Sequence, residues 1–189
     1  PIRNLGERLT AELMQQSDGY LIFLDMDNLK KINDIHGHKA GDRALKLLGN
    51  LLSRYSDEGV ACRLGGDEFL LFLPEATHDS VTTQMQELFD QFRLAISKDV
   101  EIRSATLSAG ICMCTAGDNF ENCYQKADKA LYYVKQNGKN SYRFYEELEE
   151  QQPDAQARKN DLEVIAGALL ESGSYTGALD LDYREFARL

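Results

Sequence analysis

Apolar residues at Leu5, Leu9 and Leu13 recur at helical spacing and run out before Ser17-Asp18-Gly19, a turn-forming trio, so the pattern predicts a helix over 5–14. Tyr20-Leu21-Ile22-Phe23-Leu24 follows directly, and a continuous apolar run of that length suits a strand covered on both faces. It stops at Asp25-Met26-Asp27-Asn28. Leu45, Leu48, Leu51 and Leu52 mark a helix over 40–55, with Asp42 near its first turn, where the helix dipole favours a negative charge. Residues 60–64 and 69–73 read as two strands joined by Gly65-Gly66-Asp67-Glu68, a glycine-bearing hairpin turn. Val81, Met85, Leu88, Phe89 and Phe92 lay a helical stripe over 79–96. A strand over 105–114, a helix over 120–136 closed by Asn137-Gly138, and a short strand over 142–145 complete the series. This order predicts the α/β class as an α+β sandwich, a mostly antiparallel central sheet flanked by helices.

The pattern changes at Glu146, where eight residues from Glu146 to Pro153 are acidic and polar, a helix end or linker. Beyond it Leu162, Ile165, Leu169 and Leu170 make one apolar helical face. That face needs a partner from the same domain, a second copy or a further module. The expectation is one domain over 1–146, followed over 147–189 by an acidic linker and helical segment that open another module.

Composition narrows the chemistry. A net charge of -10 over 189 residues repels nucleic-acid polymers and anionic membranes, so a phosphate-bearing ligand must be held locally. A small nucleotide with a metal fits better. The four cysteines, Cys62, Cys112, Cys114 and Cys123, form no CxxC pair and sit among apolar residues, which predicts reduced core thiols and a reducing, cytoplasmic compartment. No apolar run approaches the roughly 20 residues of a membrane span, and no signal-peptide pattern opens the chain, so no membrane contact is expected of this segment.

Asp25 and Asp27 stand at the end of the first strand, and Asp67 and Glu68 at the hairpin. If that strand runs on, alternation is read as letting only one of the first pair face a given side. Should the hairpin lie beside the strand, acids from both places converge, and converging carboxylates repel unless a cation lies between them. Such oxygen ligands suit Mg²⁺, which completes its shell with substrate phosphates and water. Two such ions stabilise the attacking and leaving oxygens of a displacement at phosphorus.

Four ordered motifs carry a resemblance. DMDNLKKINDIHGHKAGD at 25–42 is similar to the DxDxFKxxND…GHxxGD signature of the GGDEF-type diguanylate cyclases, and Gly65-Gly66-Asp67-Glu68-Phe69 spells the family motif. Ser108-Ala109-Gly110-Ile111 resembles its SxGI strand, and Ala127-Asp128-Lys129-Ala130-Leu131-Tyr132 with Lys135, Gly138, Lys139 and Asn140 resembles its ADxALYxAKxxGRN helix end. The resemblance implies a palm-like fold related to polymerase and nucleotidyl cyclase catalytic domains. It also implies condensation of two GTP into cyclic di-GMP with release of two pyrophosphates, across a homodimer. Each domain holds one GTP, with Mg²⁺ or Mn²⁺ as cofactor and additional sensory or effector domains elsewhere in a longer chain. Carried over by position, Asp25, the Met26 carbonyl, Asp67 and Glu68 would hold metal, and Asp67 or Glu68, with Asp67 favoured, would act as general base. Asn33 and Asp42 would read guanine, since a carboxylate accepts from its N1–H and 2-amino group while adenine offers no such pair. Leu45 would wall that pocket. Phosphates would fall to the amides of Asn28 and Leu29 and to Lys30, Lys135 and Lys139.

The chain departs from the pattern in places. Lys139 stands where the family has Arg, whose fork makes bidentate phosphate contacts that Lys cannot make. Leu29 replaces Phe, and the usual opening DxLTGLxNR is represented at most by Pro1-Ile2-Arg3-Asn4. The inhibitory RxxD appears as Arg54-Tyr55-Ser56-Asp57, two residues early, which predicts weak inhibition by product. A different class of reading is a catalytically weak or silent domain that binds GTP and regulates an attached signalling domain.

Overall fold

The alternating faces of one buried strand organise the molecule. The computed structural model describes residues 2–56 and 59–150. Helix α1 (Ile2–Met14) leads into β1 (Gly19–Asp27), all nine of whose residues are buried. Tyr20, Ile22, Leu24 and Met26 point into one core, and Leu21 and Phe23 into another on the opposite side. Two cores need two covers, which is why the apolar run is unbroken.

Two short helices, α2 (Leu29–His36) and α3 (His38–Leu52), follow, separated by Gly37 at φ 82°, a left-handed conformation that glycine adopts without strain. A 3₁₀ turn at Ser53–Ser56 leads to the hairpin of β2 (Val60–Gly65) and β3 (Glu68–Pro74). Then come α4 (His78–Ser97), β4 (Thr106–Cys114), α5 (Phe120–Gln136), β5 (Tyr142–Phe144) and α6 (Tyr145–Glu150). Reciprocal hydrogen bonds between Thr77 and Ser80 fix the start of α4, and the Asn119 side chain accepts from the Asn122 amide at the start of α5.

The sheet order is β2-β3-β1-β4-β5, antiparallel except for the β4 and β5 pair. This is the expected mostly antiparallel sheet flanked by helices. On one side α3 and α4 bring Leu45, Leu48, Met85 and Phe92 onto Leu71, Ala109 and Ile111. On the other, Met14 of α1 and Cys123, Ala127 and Leu131 of α5 cover Leu70, Phe72, Cys112 and Cys114. Burial of these apolar faces is the main favourable term in such a fold. Helix α5 lies so close to β4 that a Cβ at Gly110 would strike the Ala127 carbonyl and the Leu131 amide.

Two expectations need correction. Helix α2 was not anticipated, because its eight residues bury only Leu29 and Ile32. The first strand does not stop at Leu24 but carries Asp25 and Asp27 inside it. Among the described residues no helix is long and apolar enough to cross a membrane. The apolar face of Leu162, Ile165, Leu169 and Leu170, and most of the expected module over 147–189, lie outside the described residues, as does Asp57 of the shifted RxxD.

Candidate active site

Positions two apart on a strand share a face, so Asp25 and Asp27 project to the same side of β1, toward α5, and the expectation that only one would do so is wrong. Different neighbours hold them. Asp27 is 2% exposed, and its Oδ2 accepts from Thr106 Oγ1 at 2.8 Å, Ser108 Oγ at 2.7 Å and the Asn140 amide at 3.4 Å. Its Oδ1 is buried and has no hydrogen-bond partner among the described residues. Asp25 is 6% exposed and pairs with Lys135 of α5, Nζ to Oδ2 2.7 Å. These partners lie on β4, α5 and the turn after it, which is why the strand tolerates two carboxylates.

The hairpin is braced against β1. Arg63 donates to the Gly66 carbonyl from Nε at 3.0 Å and Nη2 at 2.7 Å, holding a turn in which Gly66 has φ 53°. The Met26 amide then donates to the Asp67 carbonyl at 3.0 Å, pinning the hairpin tip to the end of β1. Glu68 faces Asp25 in the ladder and shares its side of the sheet.

A cavity of about 410 Å³ opens at this end of the sheet, lined by Asp25, Met26, Asp27 and Asp67 on one wall. Asn28, Leu29, Lys30, Lys31 and Asp34 line another, with Lys135 and Lys139 completing it. Asn28, in the left-handed region at φ 67°, precedes α2 and donates from Nδ2 to the Ser104 carbonyl at 2.9 Å instead of capping the helix. The first amides of α2 therefore have no side-chain cap, at the positive end of the helix dipole.

Of the residues singled out in the sequence, the cavity gathers Asp25, Met26, Asn28, Leu29, Lys30, Asp67, Lys135 and Lys139. Glu68 does not line it. Asp42 and Leu45 line a separate cavity of about 370 Å³ with Cys62, Arg63 and Phe69. Asn33 packs against Gly41 and leaves its Oδ1 buried without a partner among the described residues. The residue missed was Thr106, which holds Asp27, together with the ion pair of Lys135 to Asp25; Asn140 was visible in the helix-end motif, but not as a donor to Asp27. Ser108 was visible as part of a motif, but its bond to Asp27 crosses 81 residues.

Burial pushes the Asp25 carboxyl above its ordinary range, the Lys135 ammonium pulls it back, and the charges of Asp67 and Asp27 raise it again. Carboxylates from β1 and the hairpin face one cavity with the Lys135 ammonium close to Asp25, and among the described residues Asp27 Oδ1 has no hydrogen-bond partner. That hard-oxygen set fits a divalent ion of the Mg²⁺ type.

Residues 3–141 match the family model described as diguanylate cyclase, GGDEF domain. The chain is 34% identical over 146 residues to diguanylate cyclase DgcP of Pseudomonas aeruginosa, covering 72% of this chain and 21% of that protein. It is 34% identical over 150 residues to diguanylate cyclase DgcS of Shewanella oneidensis, covering 75% of this chain and 47% of that protein. The chain thus spans less than half the length of either relative. Among solved structures, the GGDEF domain of DgcB from Caulobacter crescentus in complex with c-di-GMP matches with a TM-score of 0.62 at 26% identity, covering 76% of this chain and 87% of that one. Diguanylate cyclase SiaD of Pseudomonas aeruginosa, in complex with its activator SiaC, matches with a TM-score of 0.66 at 30% identity, covering 76% of this chain and 57% of that one. The fold is the palm-like fold of these domains, and the chain belongs to the GGDEF-domain family of diguanylate cyclases.

Proposed function

We propose that this chain condenses two molecules of GTP into cyclic di-GMP, with release of two pyrophosphates, in the cytoplasm and across a homodimer. The observation that carries the reading is one cavity holding Asp25 and Asp67 together with Lys30, Lys135, Lys139 and the uncapped start of α2. Acids and phosphate-binding groups are opposites that coexist where a nucleotide triphosphate and its counter-ion are bound together.

Asp25, the Met26 carbonyl, Asp67 and Glu68 would hold Mg²⁺ or Mn²⁺, which neutralises phosphate charge and lowers the cost of deprotonating a ribose hydroxyl. The amides of Asn28 and Leu29 receive phosphate oxygens, and Lys30 and Lys139 add charge from either side. Lys135 exchanges its bond to Asp25 for one to a phosphate as the nucleotide enters. Asn33 and Asp42 read the guanine edge and Leu45 packs beneath it, which favours GTP over ATP. Asp67, with Glu68 beside it, takes the proton from the 3′-hydroxyl. That oxygen attacks the α-phosphorus of the GTP on the partner subunit, a new P–O bond forms, and the bond to pyrophosphate breaks. A second such step closes the ring.

Each domain holds one GTP, so two domains must face each other. The region over 1–146 acts as the cyclase domain, and 147–189 connects it to further sensory or effector modules of a longer protein. The test is incubation of the purified chain with GTP and Mg²⁺ over a wide range of protein concentration, with cyclic di-GMP read by chromatography. Product that rises more steeply than linearly with protein, and falls about 10²–10⁴-fold with Asp67→Ala, is expected. GTP binding without product at any concentration would replace this reading with that of a silent, regulatory domain.

A further inference from the structure

Cys112 and Cys114 stand two residues apart on β4 and therefore face the same way, toward α5, whose opening turns present Cys123 to them. Their three sulfur atoms lie within 4.8 Å of one another, and all three residues are buried. A single ion with metal–sulfur bonds of about 2.3 Å holds three thiolates roughly 4 Å apart, so the grouping needs only a small contraction. No other set of three ligating side chains among the described residues meets this criterion.

From this geometry we infer that Cys112, Cys114 and Cys123 form a second metal site that takes a soft, three-coordinate ion of the Cu(I) class. Thiolate sulfur selects soft ions. A structural zinc site closes with four donors, and among the described residues no fourth ligating group shares the common reach of the three sulfurs; Asp118 Oδ2, 4.0 Å from Cys123 Sγ, falls outside it. It is also engaged by the Thr115 amide at 2.8 Å. The excess negative charge of three thiolates meets the positive end of the α5 dipole and the Lys126 ammonium, which acts electrostatically on Cys112 and Cys123. The exposed turn of Thr115, Ala116 and Gly117 adjoins the site and offers a way in. The hard oxygens around Asp25 and the sulfurs here do not compete for the same ion.

This inference is independent of the cyclase reading. An ion here would tie β4 to α5, the elements that supply Ser108 to Asp27 and Lys135 to Asp25.

The test titrates the reduced full chain with Cu(I) supplied as its acetonitrile complex, in competition with bicinchoninate, and follows thermal melting in parallel. One Cu(I) per chain, a raised melting temperature, and a three-sulfur shell by X-ray absorption are expected. Cys123→Ser should lose the complex, while Cys62→Ser retains it. The melting shift of the unmutated protein needs no variant, so a poorly folded Cys123→Ser does not blunt the test. Copper retained by a folded Cys123→Ser, copper that requires Cys62, or a fourth, oxygen ligand would overturn the assignment. So would the absence of copper binding, with a disulfide between Cys123 and a β4 cysteine on air oxidation.

Discussion

Asp25 combines burial with charge, and among the described residues Lys135 is the cation paired with it. Its folded carboxyl titrates above the unfolded value, so the folded state binds the proton more tightly, and this group's contribution to stability falls as pH rises from the unfolded carboxylate range through the folded one. In metal-free buffer, the melting temperature of Asp25→Asn relative to the unmutated protein should therefore climb across that window, and added Mg²⁺ should raise only the latter. Equal pH profiles by calorimetry would remove this account. Asp27 is held differently, by hydrogen bonds that Ser108 and Thr106 donate to its Oδ2. Ser108→Ala should cost about 1–3 kcal/mol, read from urea unfolding, since a buried carboxylate loses a donor. The acids themselves were legible in the sequence as motifs. Their roles were not, because each is defined by a partner on another strand or helix.

At the level of elements, the site depends on how closely α5 can approach β4. Gly110→Val should destabilise by about 3 kcal/mol, the upper part of the overpacking range, because the obstacle is the backbone of α5 rather than a side chain that can turn away. The urea midpoint measures this, and a midpoint shift of less than a third of that size would show that the helix yields. The long, strongly patterned elements were legible: α5 over 120–136 falls where the apolar spacing and Asn137-Gly138 place it. Two elements were obscured for opposite reasons. Helix α2 has too few buried positions to show a period, and the end of β1 is hidden by charges whose solvation comes from tertiary neighbours.

For the whole molecule, apolar runs and turn signals revealed strand existence but not strand order, which places β1 between β3 and β4 and so brings the hairpin acids beside Asp25. The proposed dimer has a consequence at the same scale. Adding inactive Asp67→Ala chain to the unmutated protein at fixed total concentration should lower cyclic di-GMP formation as the square of the unmutated fraction, because a mixed dimer makes one bond and not the second. A linear fall in a quantitative chromatographic assay would mean that each subunit works alone. The central position of β1 also sets a timescale. Its amides are bonded into ladders on both sides, so deuterium should enter Leu21 to Leu24 only through global opening, while the turn carrying Lys139 and the start of α2 exchange through local excursions. The floor that carries the acids is thus as durable as the molecule itself, and the lysine-bearing rim is free to open and close many times within the life of one folded chain.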